Sequence, residues 1–348
     1  MHLRPVQFVD TPAAHADGAV ARLAGGMQWF AAYEVRDGGG RHIVPVAAIA
    51  GLGERAAMLH ARVTAARPAW QLGARTLRFD QPQVAGILNV TPDSFSDGGA
   101  NMDDPAAAAA AGVAMAAAGA ALIDVGGEST RPGAPLVWEE DEARRVAPVI
   151  ERLAGAGVLV SIDTRKAAVM DAALAAGAGI VNDVAALLWD DRAPAIVARS
   201  GAPVILMHSP DPKTGPHGGS GYADVVTEVF DWLEARIDAV VAAGVDRTRI
   251  AVDPGIGFGK SLSDNLALLN NLSIFHALGC PIMLGASRKR LIGALSNEAP
   301  VAERLGGSVA LALKGAEAGV QLLRVHDVAE TVQALRVWRG LRDRALVG

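Results

Sequence analysis

From residue 84 onward the sequence alternates two kinds of segment. Short apolar runs lie at 84–90, 121–125, 159–162, 180–184, 203–207, 250–252, 281–285 and 321–325. Runs of this length, bounded by Gly, Pro, Asn or Asp, predict buried strands of a parallel sheet. Helix-length stretches separate them, near 103–118, 139–154, 166–176, 191–199, 222–243, 263–278, 300–318 and 327–345. Eight strand–helix units in about 265 residues match an α/β fold of the (β/α)8 TIM-barrel type. An open doubly wound sheet is the competing architecture. It calls for a G-x-G-x-x-G turn after the first strand, and none follows 84–90.

The first 74 residues read differently. They suggest a short strand at 7–9, a helix over 18–24 and two strand-like runs at 28–35 and 42–48. Those two runs flank Asp37-Gly38-Gly39-Gly40, a hairpin signal. Residues 54–66 read as a helix ended by Pro68, and 75–80 as a strand or half-hairpin. The expected organisation is a small N-terminal α+β extension over 1–74, with no assigned role, and a barrel over 75–348.

Composition narrows the class. With 51% hydrophobic and 20% charged residues, the chain is an ordinary globular protein. A net charge of −5 without a basic block argues against nucleic-acid binding. Cys280, the single cysteine, excludes an intrachain disulfide and points to a reducing compartment. The N-terminus lacks a signal segment, and no uncharged run has the length of a membrane span. A cytoplasmic location follows, with neither membrane nor nucleic acid as partner.

In such a barrel, chemistry sits at the C-terminal ends of the strands. Those ends carry Asn89, Asp124, Asp163, Asn182-Asp183, Met207-His208, Asp253, Ser287-Arg288-Lys289, and Arg324 with His326. One such residue alone would be a cap or a structural bond; a polar group at all eight ends indicates a site. Asp163, Asn182, Asp253 and Lys289 suit a flat, nitrogen-rich ring, because carboxylates accept from ring N–H groups and an amide both donates and accepts. Arg131, Arg324, His326 and Asn89 suit a phosphate-bearing group, since the Arg fork matches phosphate oxygens. Asn89 and Asp124, with phosphate oxygens, are candidate Mg2+ ligands. Asp253–Ser261 looks like a phosphate loop, but the Walker spacing needs Gly where Pro254 stands. The histidines lack H-E-x-x-H spacing and there is no G-x-S-x-G elbow, so zinc or serine hydrolysis is not indicated.

Gly-Ile-Leu-Asn-Val-Thr-Pro-Asp-Ser-Phe-Ser-Asp-Gly-Gly at 86–99 and Ile-Asp-Val-Gly-Gly-Glu-Ser-Thr-Arg-Pro-Gly at 123–133 resemble the two signatures of the dihydropteroate synthase family. Ser-Ile-Asp-Thr at 161–164, Asn-Asp-Val at 182–184, Met-His at 207–208, Asp-Pro-Gly-Ile-Gly-Phe-Gly-Lys at 253–260, Ser-Arg-Lys at 287–289 and Arg-Val-His-Asp-Val at 324–328 follow in the family's order. The resemblance implies a (β/α)8 barrel and a transferase of folate biosynthesis. Such enzymes condense (7,8-dihydropterin-6-yl)methyl diphosphate with 4-aminobenzoate, with Mg2+ as cofactor, and usually form homodimers. By resemblance, Asp163, Asn182, Met207, Asp253, Lys289 and Arg324 hold the pterin. Asn89, Arg131, Arg324 and His326 hold the diphosphate. Thr130, Arg131, Pro132, Phe258 and Ser287 form the 4-aminobenzoate pocket, which sulfonamides also occupy. Two departures stand out: residues 1–74 exceed the usual lead-in, and the stretch after His208 lacks the family's Met-rich character. The alternatives are a methyltetrahydrofolate–corrinoid methyltransferase, which should lack the 91–99 and 128–133 loops and Ser287-Arg288-Lys289, and a non-catalytic pterin-binding paralogue.

Overall fold

Eight parallel strands form the centre of the fold. The computed structural model describes residues 1–91, 104–129, 133–213, 217 and 221–347. An N-terminal sheet comes first: β1 (His2–Val9), β2 (Ala21–Arg22), β3 (Trp29–Asp37) and β4 (Gly40–Pro45). Helix α1 (Glu54–Thr64) and a hairpin of β5 (Trp70–Leu72) and β6 (Arg75–Leu77) follow. The barrel alternates β7 (Gln83–Asn89), α2 (Pro105–Ala118), β8 (Leu122–Gly126), α3 (Glu139–Gly155), β9 (Val160–Asp163), α4 (Ala167–Ala175), β10 (Ile180–Asp183), α5 (Ala193–Ser200), β11 (Val204–Met207), α6 (Val225–Ala242), β12 (Ile250–Asp253), α7 (Leu262–Asn270), β13 (Met283–Leu284), α8 (Arg290–Leu295), α9 (Leu305–Glu317), β14 (Leu322–Val325) and α10 (Val328–Val347).

Strands pair in the order β12-β11-β10-β9-β8-β7-β14-β13. A parallel bridge between Val252 and Ile282, with Val252 N–H donating to Pro281 O at 2.9 Å, brings the two ends of that order together. The structure is a (β/α)8 barrel with an N-terminal α+β extension. Among the described residues, no helix is long and apolar enough to cross a membrane.

The parity of each strand explains how the core divides. Successive side chains point to opposite faces. Val84, Ile123, Val160, Val181, Val204, Ile250, Leu284 and Leu323 point outward and join the large core beneath the helices. Ala85, Leu122, Leu159, Ile180, Ile205, Ala251, Met283 and Leu322 point inward and form a separate apolar cluster. Trp70, Leu77 and Phe79 belong to that inner cluster, so the β5–β6 hairpin stoppers the N-terminal end of the barrel. Trp70 meets Phe79 edge-on at 5.0 Å between ring centroids, and its indole N–H donates to Thr248 O at 2.9 Å. Two residues further along each strand, the inward positions become Ile87, Asp124, Ser161, Asn182, Met207, Asp253, Gly285 and Arg324. The stoppered end is apolar and the other end polar, which confines ligand chemistry to one mouth.

Several sequence expectations need correction. The helix expected at 18–24 is a set of turns around β2; Gly18 and Gly25 take positive φ, which interrupts a helix. The strand expected at 7–9 extends back to His2, because Leu3 and Pro5 face the core and pair with Val35 and Tyr33. The helix expected at 263–278 breaks at Asn271 into α7 and a 3-10 segment, Leu272–Leu278. That segment is fully buried under the N-terminal extension. Ser273 Oγ donates to Pro5 O at 2.9 Å, Arg36 to Asn271 Oδ1 at 2.6 Å and Arg67 to His276 O at 2.9 Å.

Removing the stopper should loosen the whole barrel. Trp70→Ala deletes a buried indole from the inner cluster and is expected to lower stability by about 3–5 kcal/mol. Denaturant unfolding checks this; a loss under about 1 kcal/mol would mean that the hairpin does not close the core.

Candidate active site

Asp124, on β8, is the hub of the polar mouth. It is buried and receives three donors: Ser161 Oγ to Oδ1 at 2.5 Å, Asn182 Nδ2 to Oδ2 at 3.0 Å, and Arg324 Nε to Oδ2 at 2.5 Å. Arg324 reaches from β14 past β7, and its Nη2 donates to Asp163 Oδ2 on β9 at 2.6 Å. Four strands are thereby joined by side chains across the barrel interior. Charge-assisted bonds of this length are the strong kind.

Asn182 has one group left over. Its Nδ2 is committed to Asp124, while its Oδ1 is buried and without a partner among the described residues. A buried amide oxygen in this state is costly unless a ligand donates to it. Asp253 lies on β12, in register with Met207 on β11. Its Oδ1 accepts from Gly255 N–H at 2.7 Å. Asn89 and Asp163 flank Gly126, where an added Cβ would lie 3.6 Å from Asn89 Oδ1 and 3.8 Å from Asp163 Oδ2.

Burial sets the protonation of this mouth. It pushes the Asp163 carboxyl up to about 7, although the Arg324 guanidinium and the neighbouring carboxylates also act on it. Burial raises Asp253 too, opposed by the Lys289 charge. Lys289 is pushed down to about 8 by burial, with Asp253 working against the shift. For Arg324, burial works against the charged form but Asp124 and Asp163 prevail, and its pKa rises.

The turn after β12 carries the next part of the site. Lys289 Nζ donates to Ile256 O and sits 4.3 Å from the centroid of the Phe258 ring. Phe258 also stacks on His217 at 5.1 Å between ring centroids. Ser287 and His326 adjoin: His326 N–H donates to Ser287 Oγ at 3.2 Å, and Nδ1 lies 3.0 Å from the same oxygen. Next to them Arg288 forms a two-point pair with Asp327 at 3.1 and 2.5 Å.

Most of the residues singled out from sequence therefore meet at one mouth: Asn89, Asp124, Asp163, Asn182, Met207, Asp253, Phe258, Ser287, Lys289, Arg324 and His326. Thr130, Arg131 and Pro132 lie outside the described residues, as do 92–103 of the first signature loop. Asp124, named as a candidate Mg2+ ligand, already accepts at Oδ1 from Ser161 and at Oδ2 from Asn182 and Arg324. Among the described residues no group of three or more His, Cys, Asp or Glu side chains is arranged for a metal. Arg324 is likewise committed through Nε and Nη2, leaving Nη1 for an anion. Sequence reasoning missed Ser161, although strand parity places it two residues before Asp163 on the same face. It also missed the buried cluster of Glu128, Glu142 and Lys166. There Lys166 Nζ donates to Glu128 at 3.0 Å, Glu142 at 2.6 Å and Val137 O at 2.6 Å.

Comparison with known proteins gives a consistent result. The family model described as pterin binding enzyme matches residues 85–326. Dihydropteroate synthase of Neisseria meningitidis serogroup B is 44% identical over 281 residues, 79% of this chain and 98% of that protein. The structure of Xanthomonas albilineans dihydropteroate synthase with 4-aminobenzoic acid superposes with a TM-score of 0.74 at 50% identity, covering 79% of this chain and 98% of that one. The same enzyme in complex with 7,8-dihydropteroate gives a TM-score of 0.71 at 47% identity, over 79% and 99% of the two chains. A barrel mouth built on Asp124, Asn182, Asp253 and Arg324, in a chain this similar to those enzymes, belongs to the dihydropteroate synthases of the pterin-binding enzyme family.

Proposed function

We propose that this chain condenses (7,8-dihydropterin-6-yl)methyl diphosphate with 4-aminobenzoate to give 7,8-dihydropteroate and diphosphate. The observation that carries the reading is the set of groups left open in the mouth. The buried Oδ1 of Asn182 has no partner among the described residues, and the Asp253 carboxylate and Lys289 ammonium lie on the same rim. A pterin edge presents ring N–H and amino donors to the two acceptors and a carbonyl to the ammonium. Asp163, Met207 and Arg324 complete the proposed pterin site.

Asn89, Arg131, His326 and Arg324 are proposed to hold the diphosphate, with Nη1 the part of the Arg324 fork still available. Mg2+ would bind the Asn89 oxygen together with diphosphate oxygens and water, a donor set of the hard kind that this ion prefers. When bound, it neutralises charge on the departing diphosphate. Thr130, Arg131, Pro132, Phe258 and Ser287 are proposed to receive 4-aminobenzoate.

The reaction needs no enzyme nucleophile. The amine nitrogen forms a bond to the pterin methylene carbon, the carbon–oxygen bond breaks, and diphosphate leaves with the electron pair. The amine proton is released. The protein's contribution is alignment and stabilisation of the leaving charge. The Asp124–Arg324–Asp163 bridge keeps the guanidinium where that charge develops. Residues 1–74 are proposed as a structural extension without a substrate contact. A homodimer belongs to the same reading, supported by Val337 and Leu341, which lie one turn apart on α10 and are 63% and 69% exposed. The buried thiol of Cys280 supports a reducing, cytoplasmic setting.

Three outcomes are expected. Purified protein with both substrates and Mg2+ should release pyrophosphate and dihydropteroate; folded protein with no product above background rejects the assignment. Asp253→Ala should weaken pterin binding by about 1–3 kcal/mol or more while the barrel stays folded, because ring donors lose their acceptor. An unchanged affinity in titration calorimetry would remove Asp253 from the site. Sedimentation should give a dimer, and a monomer at all accessible concentrations would remove α10 as a self-association surface.

A further inference from the structure

The loop Asp253–Ser261 fails the Walker spacing, yet it ends in a lysine whose position is unusual. Lys260 Nζ lies 3.0 Å from His208 Nδ1, 2.9 Å from Gly255 O, 3.1 Å from Phe258 O and 3.4 Å from His208 O. The ammonium thus sits inside the turn and faces acceptors from two strand ends, β11 and β12. An ammonium has donors only, so His208 Nδ1 accepts. Burial and the Lys260 charge keep His208 neutral, its pKa pushed down to about 3. The His208 ring is wedged edge-on against Trp232 of α6 at 4.9 Å, so the anchor itself is fixed in the core.

The turn is clamped from its other side as well. Lys289 takes Ile256 O, while Gly257 N–H donates to Asn265 Oδ1 at 2.6 Å. The carbonyls of Gly255, Ile256 and Phe258 are therefore all held by ammonium groups, two by Lys260 and one by Lys289. The close approach leaves no slack: Gly255 has φ +70°, and a Cβ there would fall 1.9 Å from His208 O. Asp253 lies on the strand proper, whereas Phe258 lies on the turn that Lys260 holds.

We propose that Lys260 is a positioning residue for the second substrate: by tying the 255–260 turn to His208, it sets the place of the Phe258 ring and hence the 4-aminobenzoate pocket, whereas the pterin residues Asp253 and Lys289 are anchored on other segments and meet that turn only at Gly255 N–H and Ile256 O. The proposal rests on the assignment of that pocket to 4-aminobenzoate. Phe258→Ala measured alongside separates the two failures: an unchanged KM for 4-aminobenzoate in Phe258→Ala rejects the pocket assignment, whereas a raised KM there with an unchanged KM in Lys260→Met rejects the proposal.

The test is a split between the two substrates. Lys260→Met keeps much of the side-chain length and removes the ammonium. It is expected to raise KM for 4-aminobenzoate by about tenfold or more, and to change the calorimetric Kd for the pterin diphosphate alone by less than about threefold. Lys260→Gln, which retains a donor, should fall between Lys260→Met and wild type in KM. An unchanged KM in folded Lys260→Met overturns the proposal, and so does an equal loss for both substrates. If neither variant folds, Lys260 serves the stability of the barrel and the proposal is also overturned.

Discussion

A carboxylate buried at the centre of a barrel is tolerable only when its oxygens are paired, and Asp124 meets that condition with three donors from three other strands. The cost of taking one unpaired charge out of water is several kcal/mol, so each donor constrains the others. Asn182 must present Nδ2 to Asp124, which leaves its Oδ1 buried without a partner among the described residues. Arg324 must lie across the mouth to reach both Asp124 and Asp163. The orientation of Asn182 and Arg324 is thus a consequence of satisfying one buried charge.

Strand parity turns that local constraint into an architecture. Outward residues are almost all Val, Ile or Leu and pack under helices, so the strands are held by an apolar core on the face away from the barrel interior. Inward residues change character along the strand, from the apolar ring stoppered by Trp70 to the polar layer of Asp124, Ser161, Asn182, Asp253 and Arg324. Stability and chemistry occupy opposite faces and opposite ends of the same short strands. A mutation among the outward residues or in the apolar inner ring is mainly a folding event, whereas the polar layer at the other end carries the candidate chemistry.

The turn after β12 shows a second use of buried charge. The Lys289 charge disfavours the charged form of Lys260, while Asp253 favours the charged form of both and the backbone carbonyls of a single turn accept from both. Burial brings Lys260 down to about 7 and Lys289 to about 8. Both side chains donate to backbone carbonyls of this glycine-rich segment and stiffen its turn. The N-terminal extension adds stiffness elsewhere, covering the Leu272–Leu278 segment with apolar side chains and the Arg36, Arg67 and Ser273 hydrogen bonds.

The eight strands were legible because parallel strands buried on both faces become continuous apolar runs, and the polar residue ending each run marks the mouth. Asp163, Asn182, Asp253, Lys289 and Arg324 could be picked out on that ground, and the two signature loops carried the family. Local signals were weaker where the chain packs against itself over long distances. The 18–24 segment lacks a helix because of its glycines and its pairing with β3. The 263–278 helix breaks at Asn271, where a side chain from residue 36 arrives. Only the tertiary structure brought three donors onto Asp124, since they lie 37, 58 and 200 residues away. It alone placed the Lys260 ammonium on the carbonyls of its own turn and the His208 ring. Sequence determines which side chains each strand delivers to the mouth; how those groups pair depends on distances that exist only once the barrel has closed.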